Sequence, residues 1–242
     1  MKNMKNRISS VMFGLAMMLV PPAVSAQSLA KLLPGGPSKT EIAAGIREAL
    51  EAGIAAGTER LSVTDGFLMN PSIKILFPAD AQKAESTLRG LGMNKLCDDF
   101  VVSLNRAAEE AAKEAKPIFL TAIRDMSIAD ASAILMAKES DAATTYFKKE
   151  TSLSLQERFQ PVIRASLEKT GATRHWNEII SKYNKVPFVK KMNPDLIAYA
   201  TGKAIDGLFT EVAREELKIR QNAAARTSPV LQKVFGFAQK AG

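Results

Sequence analysis

From Ser38 to Gly236 the apolar residues return every three or four positions, and that period restricts the fold more than any other feature of the chain. Ile42, Ile46, Leu50, Ile54 and Leu61 open the series, and Leu96, Phe100, Leu104, Ala108, Ala111 and Ala115 continue it. Leu155, Phe159, Val162, Ile163 and Leu167 follow, then Trp176, Ile179, Ile180 and Tyr183, then Ile197, Ala200, Ala204, Leu208, Val212 and Ile219. A strand alternates with a period of two, so these residues reach one core only from amphipathic helices. The expectation is an all-α fold, a single multi-helix domain of about eight helices over residues 38–236, with a linker at 27–37 and a tail at 237–242.

Starts and stops agree with the period. Pro34-Gly35-Gly36-Pro37 breaks the chain before Ser38, and Ser38 with Glu41 three residues on forms a capping box. Ser127 with Asp130, and Ser140 or Asp141 before Ala142-Ala143, mark further starts, with a separate helix through Leu155 to Leu167 ending at Gly171. Asn193-Pro194 opens a helix to about Gln221, and Ser228-Pro229 opens a short last one ending at Gly236. Gly90 and Gly92 suit helix ends, and Pro117 splits or kinks the stretch from Lys95 to about Met126. Residues 62–78 break the pattern with Asp65-Gly66, Asn70-Pro71 and Pro78 yet keep Phe67, Leu68, Ile73, Ile75, Leu76 and Phe77. A segment so apolar is expected to lie across the helices in extended form, with Ile73–Phe77 as the one short strand.

The first 26 residues read as an export signal. Lys2, Lys5 and Arg7 precede a 13-residue apolar run, Ile8–Val20, then Pro21-Pro22 and Val24-Ser25-Ala26. A membrane-spanning helix takes roughly 20 apolar residues, so the run suits cleavage after Ala26 rather than anchoring. The chain is therefore expected to be exported, and periplasmic if its host has two membranes. Cys97 is the single cysteine, so no intramolecular disulfide forms; among Leu96, Phe100 and Val101 it reads as a buried small hydrophobe.

Charge is segregated. The 33 basic and 25 acidic residues give +8, and loss of Lys2, Lys5 and Arg7 with the leader leaves +5. Arg174, Lys182, Lys185, Lys190 and Lys191 stand against Glu178 alone within residues 174–191, and Lys218, Arg220, Arg226, Lys233 and Lys240 stand against no acid within 217–242. Trp176, Tyr183 and Phe188 are interleaved with the first group. Amphipathic rings beside cations suit contact with an anionic surface or headgroup, and the competing reading packs the rings into the core and leaves only lysines in water. Trp176, Lys182, Tyr183, Lys185, Phe188, Lys190 and Lys191 are the candidate contact residues. Ala49, Gly53 and Gly57 form a row of small residues at i, i+4 and i+8, which points to close approach of a neighbouring helix or a ligand.

The residues exclude much chemistry. His175 is the sole histidine, so there is no histidine pair for zinc, no His-Glu-x-x-His, no Gly-x-Ser-x-Gly and no Gly-x-x-x-x-Gly-Lys. No metal site, cofactor or catalytic residue is assigned, and the compartment argues against nucleic acid. Glu109, Asp125, Asp141 and Asp206 lie near apolar faces, where burial can raise a carboxyl pKa, and Arg106 and Glu109 can pair at i, i+3.

Several strings carry a family resemblance: Thr64-Asp65-Gly66-Phe67-Leu68, Asn105-Arg106-Ala107-Ala108-Glu109, Ala115-Lys116-Pro117-Ile118-Phe119, Asp141-Ala142-Ala143-Thr144-Thr145-Tyr146-Phe147 and Lys203-Ala204-Ile205-Asp206-Gly207-Leu208-Phe209. With Lys182-Tyr183, Pro187-Phe188, Ala224-Ala225-Arg226-Thr227 and Lys233-Val234-Phe235-Gly236 they resemble, in order over about residues 38–236, the bacterial domain of unknown function 4197. The resemblance implies an exported, helical protein and carries no catalytic residues. One departure is Ala223, where the family pattern leads to a proline after Asn222.

The favoured reading is non-enzymatic binding of an apolar or anionic amphipathic ligand, a membrane surface or an envelope partner. The alternatives are a carboxylate-dependent hydrolase and a pure interaction scaffold. A large enclosed apolar cavity, converging acids in a polar cleft, and an exposed apolar patch distinguish the three. Oligomeric state is left open.

Overall fold

The computed structural model describes residues 36–191 and 195–241; the leader at 1–26 and most of the linker lie outside the described residues. Among the described residues there are nine α-helices, two short 3-10 turns and no strand, forming one all-α domain. The helices are α1 (Lys39–Leu61), α2 (Gln82–Gly90), α3 (Asn94–Ala112), α4 (Ala115–Asp125), α5 (Ile128–Met136), α6 (Ala142–Lys169), α7 (Ala172–Asn184), α8 (Leu196–Gln221) and α9 (Pro229–Ala241). None is long and apolar enough to cross a membrane.

Local chemistry sets most boundaries. The Ser38 hydroxyl accepts the Glu41 amide at 3.2 Å while Glu41 accepts the Ser38 amide at 2.7 Å, and Ser127 and Asp130 repeat the box at 3.1 Å in both directions. The break at Lys113–Glu114 makes Pro117 the third residue of α4, where an amide has no intrahelical acceptor in any case. Gly171 closes α6 with φ +77, and Gly92 follows α2 with φ +80. Ala223 is accommodated without a proline, because Asn222 accepts the Ala224 amide at 2.9 Å and caps the turn Ala223–Ala225.

Three boundaries differ from the sequence reading. The start near Asp141 and the helix through Leu155–Leu167 belong to one 28-residue helix, α6, which runs through the exposed Pro161. Asn193-Pro194 lies outside the described residues, and the N-cap of α8 is Asp195, which accepts the Ile197 and Ala198 amides at 3.0 Å. The last helix passes Gly236 and continues to Ala241, since neither side of that glycine offers a competing cap.

Helix α8 is the hub, packed on α1, α3 and α6, while α1 also meets α4, α5 and α9, and α7 lies on α3. The core is aromatic at two points. Phe100 takes Phe77 edge-on at 4.8 Å and stacks on Trp176 at 5.1 Å, and Phe119 meets Phe147 and Phe209 edge-on at 5.5 and 5.9 Å.

Residues 62–78 bury Phe67, Ile73, Ile75 and Phe77 and leave Val63, Met69 and Leu76 exposed, and they form no strand, because side chains rather than a second strand take up much of their backbone. Asn105 accepts the Ile75 amide at 2.9 Å and donates to the Ile75 carbonyl at 2.8 Å, reproducing both bonds of a strand partner. Glu109 accepts the Phe67 and Leu68 amides at 3.1 and 3.3 Å, and the Asn70 amide group donates to Glu211 at 3.0 Å. Gly66 is required here: a Cβ would stand 2.3 Å from the Arg60 carbonyl oxygen, which is backbone and cannot yield.

Candidate functional site

Half of the ten basic residues that distinguish the sequence are engaged by partners within the fold. Arg226 is 4% exposed, donates to the Ile219 and Arg220 carbonyls at 3.1 and 2.8 Å, and so closes the C-terminus of α8. Arg220 pairs with Glu216 at 2.8 Å, Lys218 lies 3.8 Å from Glu215, and Lys233 bonds Glu41 at 2.6 Å. The side chain of Lys240 lies outside the described residues. The C-terminal block is thus a set of helix clamps rather than a surface field.

The candidate contact residues divide sharply. Trp176 and Tyr183, 4% and 2% exposed, point inward with Ile179 and Ile180, so these two rings belong to the core and not to a contact surface. Lys182 is engaged by Glu178 at 2.7 Å, which holds the Glu178 carboxyl below its ordinary range through that bond. Lys185, Phe188, Lys190 and Lys191 remain on the loop that follows α7. Its turn is tied by the Val186 amide donating to the Tyr183 carbonyl at 2.9 Å. Phe188 at its tip is fully exposed, 108% relative to a free chain, with φ +63. The three lysines beside it have no ion-pair partner among the described residues.

The row Ala49, Gly53, Gly57 meets a helix. A Cβ on Gly53 would lie 3.4 Å from the Glu215 Cβ, and one on Gly57 3.9 Å from the Glu211 Cβ, so α8 crosses α1 there. The apolar cavity beside this crossing, lined by Ile46, Leu50, Gly53 and Val212 among others, holds about 30 Å³, the space of a water molecule.

Of the four carboxylates suspected from sequence, Asp125, Asp141 and Asp206 are exposed and only Glu109 is buried. Arg106 bonds Glu109 at 2.7 Å and Asp65 at 2.7 Å, the i, i+3 pairing expected. The buried acids that sequence reading passed over are Glu211, Glu215 and Glu216 on α8. Glu211 is met by Arg60 at 3.4 Å and Arg214 at 2.7 Å, and Glu215 by Arg60 at 2.6 Å. Their sequence signal was present: all three interleave with Val212 and Ile219 on the face that the apolar period turns inward. Every one is neutralised by arginine, which suits structure rather than proton transfer. Among the described residues no three His, Cys, Asp or Glu side chains gather as a metal site. His175 sits half-buried in the first turn of α7 beside Gly171.

A groove of about 690 Å³ lies between α4 and α6, which no sequence signal announced. Glu114 and Asp125 stand along α4, Glu150 and Glu157 along α6, and Pro117, Ile118 and Tyr146 provide apolar surface between them. Arg158 is its one cation. Burial, followed by the fields of Asp130, Glu150 and Asp125, pushes the Tyr146 phenol up against the opposing field of Arg47.

Compared with known proteins, the chain matches over residues 36–236 the family model described as "Protein of unknown function (DUF4197)". No curated protein and no solved structure matches it.

Proposed function

The chain belongs to the DUF4197 family, and from that premise we propose that it is a non-enzymatic binding protein whose loop Lys185–Lys191 rests on an anionic membrane surface. The observation that carries this reading is Phe188. A large apolar ring fully exposed in a tied turn, on a backbone with φ +63, is an arrangement that costs about 1–3 kcal/mol. Beside it Lys185, Lys190 and Lys191 have no ion-pair partner among the described residues, and a ring flanked by cations suits the boundary between acyl chains and anionic headgroups. The water-sized apolar cavity supports a surface role over enclosure of a lipid tail. The carboxylate-hydrolase alternative draws less support, because Glu109 is already engaged by Arg106 and two backbone amides. Export, expected from residues 1–26, leads to surroundings where such membrane faces lie.

Cosedimentation with vesicles tests the reading. The purified protein should bind vesicles of equal parts phosphatidylglycerol and phosphatidylcholine, fail on phosphatidylcholine alone, and release as salt is added. Each lysine near such a surface contributes about 1 kcal/mol, so Lys185→Gln, Lys190→Gln and Lys191→Gln together should weaken binding roughly a hundredfold, and Phe188→Ser should weaken it further. Equal binding by the parent and these variants, with the helical signal intact, would remove the loop from the function.

A further inference from the structure

We propose that the loop Lys185–Lys191 of one copy of this chain docks into the acidic groove between α4 and α6 of a second copy, giving a head-to-tail association that salt dissolves. The two surfaces are complementary in charge and in kind. Along α4 the groove wall runs from Glu114 to Asp125, about 16 Å at 1.5 Å per residue, room for a seven-residue turn laid across it. Glu114, Asp125 and Glu157 have no ion-pair partner among the described residues, and Glu150 meets only its exposed neighbour Lys149 at 3.1 Å. Four carboxylates against Arg158 and the Lys149 that meets Glu150 leave an excess of two negative charges. Lys185, Lys190 and Lys191, without an ion-pair partner among the described residues, supply three positive ones, and Phe188 stands fully exposed in the same loop. Pro117 and Ile118 offer that surface between the acids.

Because loop and groove are different patches, the contact is heterologous, and successive copies either close a ring or continue as an open chain. Opposed exposed charges attract over about 8 Å at physiological ionic strength, so association is strongest in low salt. The inference shares its loop with the membrane reading and needs from it only that the loop be accessible. Anionic vesicles and the groove then compete for the same lysines.

Sedimentation velocity over a concentration series decides it. At low ionic strength the protein should gain mass with concentration and return to monomer as sodium chloride is added. Lys190→Glu with Lys191→Glu, and separately Glu150→Lys with Glu157→Lys, should each weaken association by about tenfold or more. An equimolar mixture of the two variants should associate again, since each then offers the charge that the other lacks. If a reversal perturbs the circular dichroism, the glutamine variants at the same positions replace it and should also be monomeric. A protein monomeric at every concentration in low salt, association unchanged in either variant, or a mixture that stays monomeric overturns the proposal. Vesicle binding by the Glu150→Gln, Glu157→Gln variant is measured in parallel: it keeps the loop and adds no cation to the groove, so failure of the membrane reading and failure of self-docking are seen separately.

Discussion

The Glu216 carboxylate stands 2.9 Å from both the amide and the hydroxyl of Thr144, so α8 supplies the N-terminal cap that α6 does not draw from its own sequence. Asp141, the residue at the cap position, makes no side-chain bond to the helix. Glu216 also accepts the Ala143 amide at 2.9 Å and the Arg220 guanidinium at 2.8 Å. A carboxylate at a helix N-terminus is favoured by the exposed amides and the macrodipole together.

Glu216→Ala is expected to destabilise the protein by about 3 kcal/mol or more, because it leaves two buried amides and a largely buried guanidinium without their partner. Glu216→Gln should lose less, since one oxygen still accepts. Urea unfolding followed by circular dichroism gives both values. An alanine variant as stable as the parent would remove the cap from the stability of this fold.

Gly207 and Gly202 lie five residues apart on α8 and should respond oppositely to alanine. At Gly207 a Cβ would meet the Phe67 ring at 2.6 Å and Ile73 at 3.3 Å, and Phe67 is wholly buried, so Gly207→Ala should cost about 1–3 kcal/mol through overpacking. At Gly202 nothing lies within 4 Å, so Gly202→Ala should gain up to about 1 kcal/mol from helix propensity alone. Thermal midpoints of the two variants check the sign of each.

Cys97 is wholly buried in the core, and burial pushes its thiol up. The thiolate is the reactive form, so a disulfide reagent should label the native protein far more slowly than the urea-unfolded one at the same pH. Native labelling at the unfolded rate would show that α3 does not enclose this side chain.

Lys233 bonds Glu41 at 2.6 Å and, with the Ser38 amide and hydroxyl, holds the Glu41 carboxyl at about 2, down from an ordinary 4.5. A depressed folded value contributes stability above the unfolded one and loses it as pH falls through the folded one. The difference in urea midpoint between the parent and Glu41→Gln should therefore be full at neutral pH, shrink below about 4.5 and vanish near 2. A difference that does not change over that range would show that the clamp between α1 and α9 is not ionic.

Residue order alone carries the all-α class, the capping box at Ser38, the helix start at Ser127, the break near Pro117, the stop at Gly171, the burial of Cys97 and the family. Each of these depends on residues within a turn or two of one another, or on a period that any window of the chain displays. Tertiary structure decided the rest. Ile73–Phe77 has the composition of a strand, yet the amide and carbonyl of Ile75 go to Asn105, a partner 30 residues away that no local pattern selects. Trp176, Tyr183 and Phe188 look alike as rings among lysines, but α3 covers the first, the core encloses the second, and only the turn after α7 leaves the third in water. The basic C-terminal block dissolved into clamps in two ways: Lys218 with Glu215 and Arg220 with Glu216 pair within a turn of α8, whereas Lys233 meets Glu41 only because α1 and α9 pack together, a distance that sequence order does not contain.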